Sequence, residues 1–266
     1  MFVATADQNY ILARFAALNY FHLDFFWMGL HAVEKYLKAI LLLNGRRALS
    51  YAHDIQKLSD AALRLHQSLS WEELKKPSDT AKHWGQETTA SFIARLNKHG
   101  NAHNRYLMYG FSFEQDDLFK LDQVIWSLRR HCRPFLQRSQ TMGRLIEVDW
   151  VAHLRRNPKE WSVNPMYPLE RALAGESGSP ILTDAARHLN QPFAPSDVHD
   201  FGAWGLAIVN APLPAYYQDL VDKNKRPERR DEAYDVLRWA FKRIAMSRED
   251  RNDIKQALRQ YRARTP

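Results

Sequence analysis

Cysteine is nearly missing from this chain: Cys132 stands alone among 266 residues. One thiol excludes an intrachain disulfide, and a reducing compartment is the natural expectation. Glycine is scarce too, at 10 residues. With Ala, Leu, Arg and Gln plentiful, that scarcity argues for helices over sheets. Long apolar runs are missing: AILLLNG at 39–45 is too short to span a bilayer. The opening MFVATADQNYILARF has no basic segment leading into an apolar one, so no secretory signal is expected. No glycine-rich phosphate loop, CxxC or HExxH occurs, and the serine in GESGSP at 175–180 follows no strand pattern. No cofactor and no metal are expected, and the chain reads as soluble and cytoplasmic.

A hydrophobic content of 45% is enough to bury a core. The net charge of +8 is unevenly placed. Residues 1–222 carry 24 Lys/Arg against 23 Asp/Glu, whereas residues 223–266 carry 14 against 7. A second cluster, RRHCRPFLQR at 129–138, has four arginines and no acid. Such clusters suit phosphate backbones, and a solvated helix face is the competing account.

Apolar residues recur at helical spacing in five stretches of the first half. Asp7 reads as an N-cap for a first helix containing Ile11, Phe15 and Leu18. A second runs from about Phe25, with Val33, Tyr36, Leu37, Ile40 and Leu41 on one face, and ends at Asn44-Gly45. A third opens near Asp54 with Ile55, Leu58, Ala62 and Leu65 inward. A fourth spans about 87–98 around Phe92, Ile93 and Leu96, and a fifth runs from Gln115 to about Arg138 along Leu118, Leu121, Ile125 and Leu128. Five helices with short connections predict an antiparallel up-and-down bundle, a mainly α fold. From about residue 140 the texture changes, and nine of the twelve prolines lie between 158 and 227. A division into 1–139 and 140–266 follows, the second part irregular and Pro-rich before closing in basic helices.

RLNKHGNAHNRY at 95–106 packs two arginines, two histidines and three asparagines into twelve positions. Metal-free RNA cleavage needs a base near the 2′-hydroxyl, an acid near the 5′-oxygen and a cation on the phosphorane. Histidine serves as base or acid near neutral pH, and arginine's planar fork holds two phosphate oxygens. On a helix Arg95 and His99 share a face, and His103 and Arg105 would return over the turn at Gly100-Asn101. Arg95, His99, His103 and Arg105 are thus the candidate catalytic set. Asn101, Tyr106, Arg129 and Arg130 are candidates for holding phosphate or nucleic acid. The plainer accounts are a polar helix end for the histidines, a cap for His53-Asp54 and intramolecular ion pairs for His31, Glu34 and Lys38.

The combination of LAR at 12–14, Ala32-Val33-Glu34-Lys35 with Leu37-Lys38-Ala39, and a His53-Asp54 step followed by Leu58 resembles the HEPN domain. That domain is the small helical bundle named for higher eukaryotes and prokaryotes. RYLMYGF from Arg105-Tyr106, and the helix leading into RRHCRPF, are similar to its closing elements, so the resemblance covers about residues 5–138. It implies either a metal-independent endoribonuclease acting as a homodimer, or a non-catalytic module that binds a nucleotide or docks a protein. Several members are toxins held by a nucleotidyltransferase antitoxin. The catalytic members carry Arg, a polar residue and then His, with four to six residues between Arg and His. Here three residues separate Arg95 from His99 and seven separate it from His103, whereas Arg47 and His53, with five residues between them, lie in the loop before the third helix. The expectation is an RNA-handling protein of a toxin–antitoxin or phage-defence system, with RNA or a nucleotide as partner and no membrane.

Overall fold

The computed structural model describes residues 1–65, 73–77, 84–106, 110–133, 136–138, 145–147, 150–195, 207–209 and 212–263. The fold is mainly α, and the chain forms two compact units. Met1–Gly100 with Glu114–Leu206 makes the first, and Asn101–Phe113 with Ala207–Pro266 the second. The chain thus passes from one unit to the other after Gly100, after Phe113 and after Leu206.

The first unit begins with α1 (Phe2–Leu18) and α2 (His22–Leu43), antiparallel neighbours across a three-residue turn. Next come α3 (Ile55–Leu65), α4 (Thr89–His99) and α5 (Gln115–Arg129). The inward positions expected on α2, α4 and α5 are all buried, as are Ile55, Leu58 and Ala62 of α3. Gly29 of α2 lies where an added Cβ would stand 3.3 Å from Leu121, which lets α5 approach closely. Asp54 caps α3 as expected, its Oδ1 accepting from the amides of Gln56 and Lys57 at 3.1 Å. Thr88 caps α4 in the same way through Ser91 N at 3.1 Å.

Two helical expectations need correction. Asp7 is no cap: α1 starts at Phe2 and Asp7 is fully buried within it. The helix extends further because its inner face receives charged partners from other helices, so the carboxylate belongs inside. The fifth helix stops at Arg129, its end closed by His131 N on Leu128 O at 3.0 Å and Cys132 N on Arg129 O at 3.0 Å. A proline follows at 134 in the sequence and disfavours helix at the residue before it. Beyond it, β2 (Leu136–Arg138) pairs antiparallel with β3 (Leu145–Glu147).

The segment after 150 completes this unit. Helices α6 (Trp150–Arg156), α7 (Pro168–Leu173) and α8 (Pro180–Arg187) are short, and α7 and α8 pack on α1. Buried charges tie them in. Arg129 donates to Asp7 at 2.9 and 3.1 Å and to Glu170 of α7 at 2.5 Å. Arg14 is fully buried against Asp122, Ala185 O and His188 O. Tyr10 donates to the same Asp122 at 2.7 Å and accepts from Asn190 at 3.1 Å. A buried ion survives only when paired and hydrogen-bonded, so these contacts bind the 150–195 segment to α1 and α5.

The second unit holds a 3-10 turn (Ala102–Tyr106), then β1 (Phe111–Phe113) paired antiparallel with β4 (Ala207–Val209), Phe111 facing Val209. Helices α9 (Pro212–Val221), α10 (Pro227–Arg243) and α11 (Arg248–Arg262) enclose their own small core. Leu213, Leu220, Leu237, Met246, Ile254 and Tyr261 are its larger members. Ser247 caps α11, accepting from Asp250 N at 3.0 Å and donating to the Asp250 carboxylate at 2.5 Å. No described helix is long and apolar enough to cross a membrane.

Candidate nucleic-acid interface

Arg95 and His99 do share one side of α4, but neither presents a free cation. Arg95 Nε and its Nη2 grip Glu87 at 3.1 and 2.8 Å, and the same Nη2 reaches Asp117 of α5 at 2.5 Å. Lys120 closes the cluster on Glu87 at 3.1 Å and on Asp116 at 3.0 Å. Burial works against the Arg95 charge, yet the bonds to Glu87 and Asp117 outweigh it and hold the guanidinium more firmly protonated than usual. Arg95 is a strut between α4 and α5, its fork filled by carboxylates.

His99 is 9% exposed, and its ring lies 5.3 Å from that of Phe26. Burial, helped by the Arg95 and Lys98 charges, lowers its pKa from 6.5 to about 4. A neutral imidazole at pH 7 accepts a proton but is no general acid. Gly100 explains how the ring comes to be enclosed. A Cβ there would stand 2.3 Å from Phe26 O and 2.8 Å from Leu30 Cβ, so only glycine lets α4 end this close to α2.

Asn101 and His103 belong to the second unit, in the turn that opens it. Asn101 Oδ1 accepts from His103 N at 3.1 Å, and Asn101 O accepts from Asn104 N at 2.8 Å; both side chains are half-buried. The side chains of Arg105 and Tyr106 lie outside the described residues. Arg129, expected to hold phosphate, is fully enclosed by Asp7, Glu170 and Trp161 O, with its Nη1 3.1 Å from that carbonyl. No external anion reaches it. Arg130 is half-buried over the Trp126 ring at 4.2 Å and donates to Glu160 O at 3.0 Å. Its environment also disfavours the charge, through burial and the neighbouring Arg133. Arg95, His99, Arg129 and Arg130 thus serve the helix packing.

A second charged cluster centres on Glu34. Lys38 lies 2.5 Å, His53 3.0 Å and His31 3.3 Å from its carboxylate oxygens. Burial alone would raise its pKa; the bonds from His31 and Lys38 overcome that and bring it to about 2. The expected ion pairing of His31, Glu34 and Lys38 is observed, and His53 adds the loop before α3 to it. Among the described residues no three His, Cys, Asp or Glu side chains stand close enough to hold a metal.

A row of cations that face solvent lies on α11. Arg248, Arg251, Lys255, Arg259 and Arg262 follow one another at three- and four-residue steps, and all five are exposed. At 100° per residue they fall in one stripe, opposite the buried Ile254, Ala257 and Tyr261. The stripe runs about 21 Å, at ~1.5 Å of rise per residue. Among the described residues none of the five pairs with a carboxylate; Arg251 packs its guanidinium 4.3 Å from the Phe241 ring centre. Four neighbouring pairs on the stripe are like-charged at i,i+3 or i,i+4, each costing the helix about 0.2–0.5 kcal/mol. Helix stability is given up to keep this row. The second unit carries 15 Lys/Arg against 9 Asp/Glu, so most of the net charge is concentrated in it. Counting charges in the tail finds the excess; phasing them on the helix finds the stripe.

Comparison of the chain with protein-family models, with curated proteins and with solved structures finds no match.

Proposed function

We propose that this chain is an RNA-handling protein that holds RNA electrostatically along α11, its N-terminal HEPN-like bundle acting as a non-catalytic module. The observation that carries this reading is the row of five exposed cations that have no carboxylate partner among the described residues. A phosphate backbone offers charges at a comparable repeat, and binding releases its condensed counterions. The state of Arg95, His99 and Arg129 supports a non-catalytic bundle, because a phosphodiester has no open guanidinium to engage there.

Endoribonuclease activity is the second reading, favoured by the common face of Arg95 and His99 on α4. The paired homodimer and the nucleotidyltransferase antitoxin go with that reading. The test uses a 20-nucleotide labelled RNA in EDTA. Five phosphate contacts on a single strand give a slope of log K on log salt of about −3.5, and Lys255→Ala with Arg259→Ala brings it to about −2. Binding that ignores salt, or ignores this double variant, contradicts the proposal. Metal-free cleavage that disappears in Arg95→Ala or His99→Ala replaces it with the nuclease.

A further inference from the structure

We infer that Trp239 is a base-stacking anchor that directs the basic second unit toward single-stranded RNA. The inference rests on the RNA-binding reading above and adds the form of RNA recognised.

Of the five tryptophans whose side chains are described, four are half-buried and Trp239 alone is exposed, at 52%. Its position is not a loosened edge of the core. The buried residues of α10 are Ala233, Leu237 and Ala240, and Trp239 projects from the opposite side of the helix. One turn onward, on its own side, stand Lys242 and Arg243, both exposed. The Arg243 guanidinium lies 5.7 Å from the indole ring centre. Among the described residues neither Lys242 nor Arg243 has a carboxylate partner, and the nearest exposed acid on this side is Asp235, one turn back.

The helix dipole accounts for part of this pattern. Glu228 sits in the first turn of α10 and Lys242 and Arg243 in the last, as the dipole favours. It gives no reason for a large indole facing water among the cations. A nucleic-acid strand supplies one. An unpaired base lies flat on the indole while the phosphates on either side meet Lys242 and Arg243, and stacking tolerates any base because each has a π face. In a duplex the bases are already stacked on one another, so the indole has nothing to take and only the phosphate contacts remain. The surface therefore fits a single strand better than a helix of the same sequence.

The experiment compares a 20-nucleotide single-stranded RNA with the blunt duplex of that sequence, using the full chain at fixed salt. Trp239→Ala is expected to weaken single-strand binding about tenfold or more and to leave duplex binding within about twofold. Trp239→Phe, which keeps a ring, is expected to restore most of the loss. Circular dichroism melting of both variants checks that the fold is unchanged. Equal single-strand affinity for wild type and Trp239→Ala overturns the inference, as does a wild type that prefers the duplex. Either result leaves the RNA-binding reading standing if Lys255→Ala with Arg259→Ala still weakens both forms. Failure of the wild type to bind either form overturns both readings.

Discussion

The most discriminating perturbation is a change of pH read at His99. Its ordinary pKa of 6.5 falls to about 4 in the folded chain, first through burial and then through Arg95 and Lys98. The unfolded chain therefore takes up the proton before the folded one does. Stability from this group is complete above pH 6.5 and is lost as pH falls toward 4, with no further loss below that. At 1.36 kcal/mol per pKa unit, moving from pH 7.5 to 4.5 removes about 2 kcal/mol after allowance for residual exposure of the ring. Urea unfolding of wild type and His99→Gln across this range isolates the effect, since every other titrating group cancels in the difference. The advantage of wild type over His99→Gln should shrink by about 2 kcal/mol toward acid, most steeply between pH 6.5 and 4. The His99 ring proton in an NMR titration should turn over near pH 4. A gap that grows toward acid, or a turnover above 6.5, refutes the reasoning, because it means that the fold prefers imidazolium. That outcome restores His99 as a candidate general acid and, with it, the nuclease.

Other perturbations probe the buried ions. Asp122→Ala leaves Arg14 charged in a fully enclosed site and should cost about 3–5 kcal/mol, read as a fall in melting temperature or loss of soluble protein. Replacing Arg14 and Asp122 together with Met and Leu should recover much of it. Glu34→Gln should lose about 2–3 kcal/mol near pH 7. Because the folded Glu34 has its pKa lowered to about 2, its contribution is complete above pH 4.5 and fades as pH falls toward 2, where wild type and variant should unfold alike. A fragment of residues 1–139 should fail to fold cooperatively, since Arg129 loses Glu170 and Arg14 loses two carbonyl acceptors. A sharp thermal transition in that fragment would disprove the role given to the later helices.

Much of the helical frame is legible in the residues themselves. Period-3.6 apolar spacing finds Val33, Tyr36 and Ile40, Phe92 and Leu96, and Leu118 through Leu128, because burial on one helix face leaves that signature. Short-range chemistry is legible as well: the Asp54 and Ser247 caps and the Glu34–Lys38 pair all join residues within four positions. What resists reading is long-range pairing of charges. Nothing local marks Asp7, Arg14 and Arg129 as buried ions, because their charged partners lie more than forty positions away. Arg95 looks available until Glu87 and Asp117 are seen to fill its fork. The α11 stripe was legible by phase but hidden in a count of the tail.

The ions that hold α1 also bear on the order in which the protein can be made. A ribosome releases Asp7 and Arg14 early, while Asp122, Arg129, Glu170 and the carbonyls of Ala185 and His188 follow only after more than a hundred further residues. Until then α1 has no dry environment in which those charges are tolerable. Helix α1 leaves the ribosome ahead of all these partners and is thereby among the last elements to be locked in place. Until those partners are made, the nascent bundle must keep α1 wet or leave it in the care of a chaperone.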